Sequence, residues 1–182
     1  SPELMDLVRQ VRKTGFTIAP EAGSQRLRDV INKNISETEI VETVRDAFQM
    51  GWQLVKLYFM VGLPTETVED LEALVELVQR LHKLKGPTGR RGQLNVSVAT
   101  FIPRPHTPFQ WAPQVPLAES RERIRWIQER LKPAGIEVKW QNPEMSLLEG
   151  VWARGDRRLG RVLQAAHRRG CRFDGWGDKI KF

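Results

Sequence analysis

The segment that most restricts the fold runs from Val55 to Val78 and reads VKLYFMVGLPTETVEDLEALVELV. Its first part, with Leu54 before it, is apolar as far as Val61 except for Lys56, which is typical of a parallel strand covered on both faces. The turn from Gly62 to Pro64 ends this strand, and acidic residues then open an amphipathic helix. A strand that passes through a short loop into a helix is the repeating unit of α/β proteins, and their ligands bind where the strands end. The segment therefore predicts both a fold class and the place of a binding site.

Strand and helix patterns alternate along the rest of the chain. Strands are predicted at 16–19, 55–61, 94–101 and 136–140, and helices at 3–13, 25–32, 36–50, 67–85, 117–131, 144–152 and 156–168. Ser36 and Glu39 have the spacing of a capping box, which supports the start of the third helix. Four strands separated by helices indicate a parallel sheet with right-handed crossovers.

Composition limits the classes of function. The chain has 182 residues, enough for one domain, and its net charge of +7 favours anionic partners. The single cysteine, Cys171, excludes an internal disulfide and fits a reducing cytoplasm. The sequence has no apolar run long enough to cross a membrane, and its three histidines are too far apart in sequence to predict a metal site.

Three polar motifs follow the first three predicted strands. They are TIAPEAGSQRLRDVINK at 17–33, VGLPTET at 61–67 and ATFIPRPHTPFQW at 99–111. Together they resemble the later part of a radical S-adenosylmethionine (radical SAM) barrel, over roughly residues 1–140. A weaker extension includes ARGDRRLG at 153–160 and RFDGW at 172–176. The resemblance is greatest to uncharacterised radical SAM proteins with an N-terminal domain of the cobalamin-binding type, and methylthiotransferases are more distant.

This resemblance implies an α/β fold with two parts. Residues 1–140 would form the C-terminal half of a partial (βα) TIM-like barrel with parallel strands, and 141–182 a small basic helical extension. The implied activity is cleavage of S-adenosylmethionine to a 5′-deoxyadenosyl radical, with a four-iron four-sulfur cluster as electron donor and an unknown substrate. Cobalamin is a further cofactor that the resemblance implies for the parent protein.

The cysteines depart from the family pattern. Members of the family hold the cluster through CxxxCxxC, which this sequence lacks, and Cys171 cannot replace three thiolates. We therefore expect that the cluster ligands lie upstream of Ser1 and that this part of the protein is inactive alone.

The first motif supplies four candidate cofactor-binding residues. Glu21, Gly23 and Ser24 resemble the turn that approaches the methionyl and ribose groups of S-adenosylmethionine. Gly23 would let the backbone come close, and Ser24 with the next helix amides would bind a carboxylate or hydroxyl. The alternative is a helix cap with a tight turn. Lys33 falls where relatives place an arginine for a substrate carboxylate; a solvated lysine at a helix end is the other interpretation.

The other motifs supply the remaining candidates. Gly62 and Pro64 match the glycine–proline turn of the family, together with Glu66, and a plain loop is the alternative. In the third motif, backbone groups near Pro103 and His106 resemble those that receive adenine. His106 is a candidate for direct chemistry, but a single loop histidine is more often structural or exposed.

Strand alternation sets Tyr58 and Met60 on one face of their strand together with Lys56. That face lies either in the barrel interior, where these residues are candidates for cofactor binding, or under the outer helices. Both interpretations remain open at this stage, and no catalytic residue is assigned.

Two other kinds of function compete with catalysis. One is a basic module that binds RNA or a ribosomal surface through residues 144–182, where Trp152, Phe173 and Trp176 are interleaved with arginines. The other is a degenerate barrel retained as a scaffold. A half barrel would also leave the first strand at an open edge, so we expect self-association through that edge.

Overall fold

The structure is a computed structural model that describes residues 15–172. The strands are β1 (Phe16–Glu21), β2 (Leu54–Val61), β3 (Gln93–Thr100) and β4 (Glu137–Trp140). The helices are α1 (Gln25–Val30), α2 (Glu37–Gln49), α3 (Val68–His82), α4 (Leu117–Leu131), α5 (Pro143–Arg154) and α6 (Leu159–Arg168). The type and order of the elements predicted within this range are confirmed. The helix predicted at 3–13 and most of the RFDGW motif lie outside the described residues.

The sheet has a sequential topology. Its four strands are parallel and lie in the order β1-β2-β3-β4. Each crossover therefore advances in the same direction, and right-handed crossovers then place the connecting helices on one face. A doubly wound sheet would instead reverse its strand order and carry helices on both faces. The structure is thus a barrel-type α/β fold, as the sequence predicted.

The hydrophobic core lies between this sheet and its helices. Alternate residues of β2 face the core, and Val55, Leu57, Phe59 and Val61 are all buried. The apolar faces of α2, α3 and α4 cover them, because each helix repeats its large aliphatic side chains at three- and four-residue spacing. These helix residues include Ile40, Val44, Leu74, Val78, Ile124 and Ile127.

The opposite face of the sheet is polar and partly open. Lys56 is exposed and Tyr58 is 44% exposed, and register places Ser97 and Lys139 beside Tyr58 on the next two strands. Cover on both faces was expected for β2, and the described residues provide it on one face only. The period of two explains the difference, since the open face of the apolar run consists of lysine, tyrosine and methionine. Tyr58 and Met60 therefore face away from α2, α3 and α4. Their face of the strand is the one that corresponds to the barrel interior, not the one under the outer helices.

Strands β1 and β4 border the sheet within the described residues. Self-association through β1 stays a prediction. None of the helices within residues 15–172 is both long enough and apolar enough to cross a membrane.

Candidate functional site

The turn after β1 carries the first group of candidate residues. Glu21 adopts a left-handed backbone conformation with φ of 67°, which is uncommon for a residue with a side chain. Its Oε1 lies 3.7 Å from Nζ of Lys33, and both side chains are about one-third exposed, at 28% and 38%. The fold therefore brings together a carboxylate and an ammonium that the sequence had placed twelve residues apart in one motif.

Ser24 caps α1 and also ties the turn to α3. Its Oγ accepts a hydrogen bond of 3.1 Å from the amide of Leu27 and donates to Asp70 Oδ1. The single hydroxyl proton of Ser24 is used in the hydrogen bond to Asp70. Ser24 can therefore act toward a ligand only as a hydrogen-bond acceptor. The capping interpretation of Ser24 is confirmed.

Asp70 is the anchor of this arrangement. It is 4% exposed, and besides Ser24 it accepts hydrogen bonds from Arg26 and from the Thr67 amide at 2.8 Å. Burial opposes ionisation of the carboxyl group, but the hydrogen bonds from Arg26, Ser24 and Thr67 together lower its pKa below the usual value. Asp70 therefore holds the start of α3 and the turn after β1 as an ionised, hydrogen-bonded unit.

Gly23 owes its place to packing against α3. A Cβ on this residue would lie 2.3 Å from both Cα and N of Leu74. We had expected Gly23 to permit close approach of a ligand, and the close approach that the structure shows is that of a helix backbone. The role of Gly23 at a ligand stays a prediction.

Arg28 holds the same turn from beneath. Its side chain is fully buried, and Nη1 donates to the carbonyl oxygens of Ala22 and Gly23 at 3.1 and 2.9 Å. Nε donates to the Ile35 carbonyl at 3.1 Å, and Nη2 to Gln25 Oε1 at 3.0 Å. Burial lowers the pKa of this guanidinium. Arg28 fixes the backbone that presents Glu21 and Ser24.

The turn after β2 is organised around Glu66. Gly62 has φ of 79°, and its amide donates to Glu66 Oε1 at 2.9 Å. The Glu66 side chain is 2% exposed and also pairs with Arg123 of α4. Burial raises the pKa of Glu66, although the Gly62 amide and Arg123 act in the opposite direction. The glycine–proline turn is therefore attached to α4 through one buried carboxylate.

We expect Glu66→Gln to remove a pH dependence of stability. Because the pKa of Glu66 is raised in the folded state, that state binds more protons than the unfolded chain between the ordinary carboxyl pKa and the raised one. The free energy of unfolding then falls as pH rises through this window, by about 1.4 kcal/mol for each unit of pKa. Urea unfolding at a series of pH values from mildly acid to neutral measures this fall in the free energy of unfolding.

The amide of Glu66→Gln cannot titrate, so its curve should lack this fall. The exposed substitution Glu42→Gln on α2 is the control, and its curve should run parallel to that of the wild type. Identical pH curves for Glu66→Gln and the wild type would contradict the assignment.

The loop after β3 places its candidates differently. Pro103 is buried, whereas His106 is exposed and has φ of 62°. The rings of Phe101 and Phe109 meet edge to face with centroids 6.1 Å apart, which gives the loop an apolar anchor. His106 lies beside this anchor in sequence, with its amide donating to Gln110 Oε1 at 3.3 Å.

A cleft of about 410 Å³ opens at the carboxyl ends of β2, β3 and β4. Met60 and the two phenylalanines give it apolar walls, and Arg104, Gln141 and Glu149 give it polar ones. Arg104 pairs with Glu149 of α5, and Gln141 Nε2 donates to the other carboxylate oxygen at 3.3 Å. Met60 also packs on the small apolar cluster of Ala22, Leu27 and Leu63. The predicted extension therefore contributes α5 to the wall of the site.

Gly62 and Pro64 line a neighbouring cleft of about 470 Å³, with Val115 and Arg123 on its far side. Tyr58 lies on the open face of the sheet, further from the carboxyl end of β2 than Met60. It lies beside Ser97 and Lys139 in a cleft of about 290 Å³. Of the ten candidate residues, the structure thus pairs Glu21 with Lys33 and leaves Tyr58 in the middle of β2. The others lie around three strand ends without one shared cavity.

Sequence reasoning missed four residues that build the site. They are Arg28, Arg104, Arg123 and Glu149. Arg28 is a buried arginine, and the other three pair with residues far away in sequence; no local sequence pattern indicates either property. Asp70 was recognisable from its capping-box spacing to Thr67, and the structure confirms that box.

The described residues do not fit an iron–sulfur cluster. Within 15–172 no group of three His, Cys, Asp or Glu side chains is placed to hold a metal ion. Cys171 is the only cysteine of the whole sequence, and a four-iron cluster needs several thiolates.

Comparisons with known proteins agree with the motifs. Residues 1–78 match the family model described as the radical SAM superfamily. An uncharacterised protein of Methanocaldococcus jannaschii is 40% identical over 158 residues, which is 87% of this chain and 34% of that protein. The ribosomal protein uS12 methylthiotransferase RimO of Rippkaea orientalis is 32% identical over 99 residues, 54% of this chain and 19% of that protein. The chain thus spans about one third of the first relative's length and about one fifth of the second's.

Proposed function

We propose that this chain, a member of the radical SAM superfamily through residues 1–78, forms part of a larger enzyme that acts on S-adenosylmethionine. In that enzyme the described residues supply the later strands of the barrel and part of the cradle for S-adenosylmethionine. The superfamily uses this molecule with a four-iron four-sulfur cluster to generate a 5′-deoxyadenosyl radical. The protein's own contribution is binding and orientation.

One observation carries the proposal. The family match over residues 1–78 includes both strand-end turns, Glu21–Ser24 and Gly62–Glu66, and the structure sets them at the same end of a sequential parallel sheet. That end is where barrel enzymes bind their ligands. The turns are also fixed in advance by Arg28, Asp70 and Glu66, as orientation of a substrate requires.

Glu21 and Lys33 provide complementary charges for an amino-acid group. The Glu21 carboxylate would accept from an ammonium or hydroxyl group, and the Lys33 ammonium would donate to a carboxylate. They are 3.7 Å apart and partly exposed, so both remain accessible to a ligand. Lys33 offers a point charge without the fork of an arginine, so we assign it attraction and not bidentate recognition.

The cluster thiolates would come from a part of the protein outside this sequence. This follows from the single cysteine and from coverage of only 34% of the Methanocaldococcus relative. We expect the 182-residue chain alone to produce no 5′-deoxyadenosine. The cobalamin that the resemblance implies stays a prediction.

The test uses the longer protein after reconstitution with iron and sulfide under reducing conditions. We expect 5′-deoxyadenosine to form from S-adenosylmethionine. We expect Glu21→Gln and Lys33→Met each to weaken its binding about tenfold or more, because each removes one hydrogen bond to a charged group. Calorimetric titration and product analysis measure the two effects.

Arg45→Gln, an exposed position on α2, is the control and should leave binding unchanged. Wild-type protein that neither binds nor cleaves S-adenosylmethionine would refute the proposed function. Normal binding by both site variants would refute the roles of Glu21 and Lys33 while leaving the function in place.

A further inference from the structure

A basic hairpin lies at the amino ends of β2 and β3, at the opposite end of the sheet from the candidate site. We define the basic hairpin as residues 83–93, KLKGPTGRRGQ. Lys85 and Arg91 form an antiparallel bridge, and the amide of Gly86 donates to the Arg90 carbonyl at 2.9 Å. Gly89 closes the tip, with its amide 3.0 Å from the Gly86 carbonyl. The segment is therefore a defined turn.

The basic hairpin is held firmly on the end of α2. A Cβ on Gly92 would lie 2.0 Å from the ring of Phe48, so the backbone passes directly over that ring. Gln49 Nε2 also donates to the Lys85 carbonyl at 3.0 Å. These contacts hold the backbone from which the charged side chains extend before any partner arrives, which lowers the entropy cost of binding.

Within residues 15–172, no acidic side chain pairs with the positive charges of the basic hairpin. Its four cations, Lys83, Lys85, Arg90 and Arg91, are all exposed, and the segment contains no acidic residue. Among the described residues, none of the four forms an ion pair. Exposed arginines elsewhere do so, for example Arg80 with Glu37. Four unpaired cations on one rigid turn indicate a partner with several negative charges.

A groove of about 490 Å³ separates the basic hairpin from the connection between α2 and β2. Its polar lining consists of Thr88, Arg90, Arg91, Gln53 and Gln93. Guanidinium, hydroxyl and amide groups are those with which proteins contact phosphate and sugar oxygens. Trp52 lines the same groove, and within the described residues its buried indole N–H has no acceptor.

We propose that the basic hairpin binds the phosphate backbone of structured RNA. Four cations spread over both arms of the turn match a row of phosphates better than a single phosphate group. The tip, Pro87 to Gly89, carries no large apolar side chain to enter a bilayer, so a membrane surface is disfavoured. The exposed part of the hairpin has no aromatic ring on which bases would stack, so contact is with the backbone and independent of sequence.

This binding site goes beyond the proposed function. The eight residues of β2, at about 3.3 Å each, separate the basic hairpin from the candidate site by roughly 26 Å. RNA held at the amino ends of the strands leaves the clefts at their carboxyl ends open. The basic hairpin therefore anchors the protein on an RNA-containing partner and takes no part in the chemistry.

Fluorescence anisotropy with the 182-residue chain and a labelled RNA duplex of about 20 base pairs tests the proposal. The variant Lys85→Gln, Arg90→Gln, Arg91→Gln removes three phosphate contacts. We expect the slope of log affinity against log salt to decrease in magnitude by about two to three, with at least roughly tenfold weaker binding at low salt. The exposed positions should leave the melting temperature unchanged. The variant Arg90→Lys, Arg91→Lys, which keeps the charge, should retain most of the salt slope.

Two variants with the same loss of charge serve as comparisons. The first is a triple variant that removes exposed cations from α2, α4 and the turn after α4: Arg45→Gln, Arg125→Gln, Lys132→Gln. A second variant, Arg157→Gln, Arg161→Gln, Arg168→Gln, neutralises exposed cations in and beside α6, which has no buried residue.

Equal weakening by all three variants would show attraction to net charge alone and overturn the proposal. A larger loss from the α6 variant would place the RNA site in the C-terminal extension instead. No binding of the wild type to the duplex would also overturn it, as would a hairpin variant that loses only binding to vesicles containing phosphatidylserine.

Discussion

Replacement of Gly23 by alanine is expected to lower the free energy of unfolding by about 3 kcal/mol, at the upper end of the range for overpacked cores. The added methyl group would lie 2.3 Å from Cα and N of Leu74. Backbone atoms of a buried helix cannot rotate out of the way as a flexible side chain can. The turn after β1 must therefore move off α3, which would strain the bond from Ser24 to Asp70.

Urea unfolding monitored by circular dichroism measures this loss. Gly160→Ala is the matched control, because the same substitution there meets no atom within 4 Å and lies in α6. That variant should be unchanged or more stable by up to about 1 kcal/mol through helix propensity. If Gly23→Ala unfolds within about 0.5 kcal/mol of the wild type, the packing explanation for this glycine is wrong.

Parts of the fold that depend on neighbouring residues were predictable. The unit from β2 to α3 follows from the apolar run, the Gly62–Pro64 break and the acidic first turn. The capping box of Ser36 with Glu39 is present as its spacing predicted. Such features can be predicted from sequence because the groups that hydrogen-bond or pack together are only three or four residues apart.

Features that depend on distant partners were not predictable. Glu66 and Arg123 are 57 residues apart, and nothing in the neighbouring sequence indicates that the Glu66 side chain is buried. The open face of β2 was not predicted, because tyrosine and methionine are scored as apolar when a sequence pattern is read. In the structure Tyr58 is nevertheless half exposed. Gly23 illustrates a third limit, since its need to be glycine arises from a helix 51 positions further along.

Arg28 is the second residue for which we expect a large effect. It combines full burial with donation to three backbone carbonyls, those of Ala22, Gly23 and Ile35. Arg28→Met keeps much of the aliphatic volume and removes every donor. Each buried carbonyl left without a partner costs about 1 to 3 kcal/mol, so we expect the three to lower the free energy of unfolding by at least about 3 kcal/mol.

Urea unfolding measures the global effect, and hydrogen exchange measures the local one. Arg28→Lys should fall between the wild type and Arg28→Met, because one ammonium keeps the charge but cannot reproduce the planar fork. Arg45→Met is the control for loss of an arginine at an exposed helical site and should stay within about 0.5 kcal/mol.

The local measurement connects stability with the candidate site. In Arg28→Met the amides of the turn from Ala22 to Ser24 should exchange faster than in the wild type. Amides in the middle of β2 should change less, because the turn loses its support while the sheet keeps its core. Glu21 would then be presented by a looser backbone, and binding at the turn should weaken in parallel. If Arg28→Met unfolds within 1 kcal/mol of the wild type and the turn keeps its protection, the freed carbonyls have found other donors. The position of Glu21 then does not depend on Arg28.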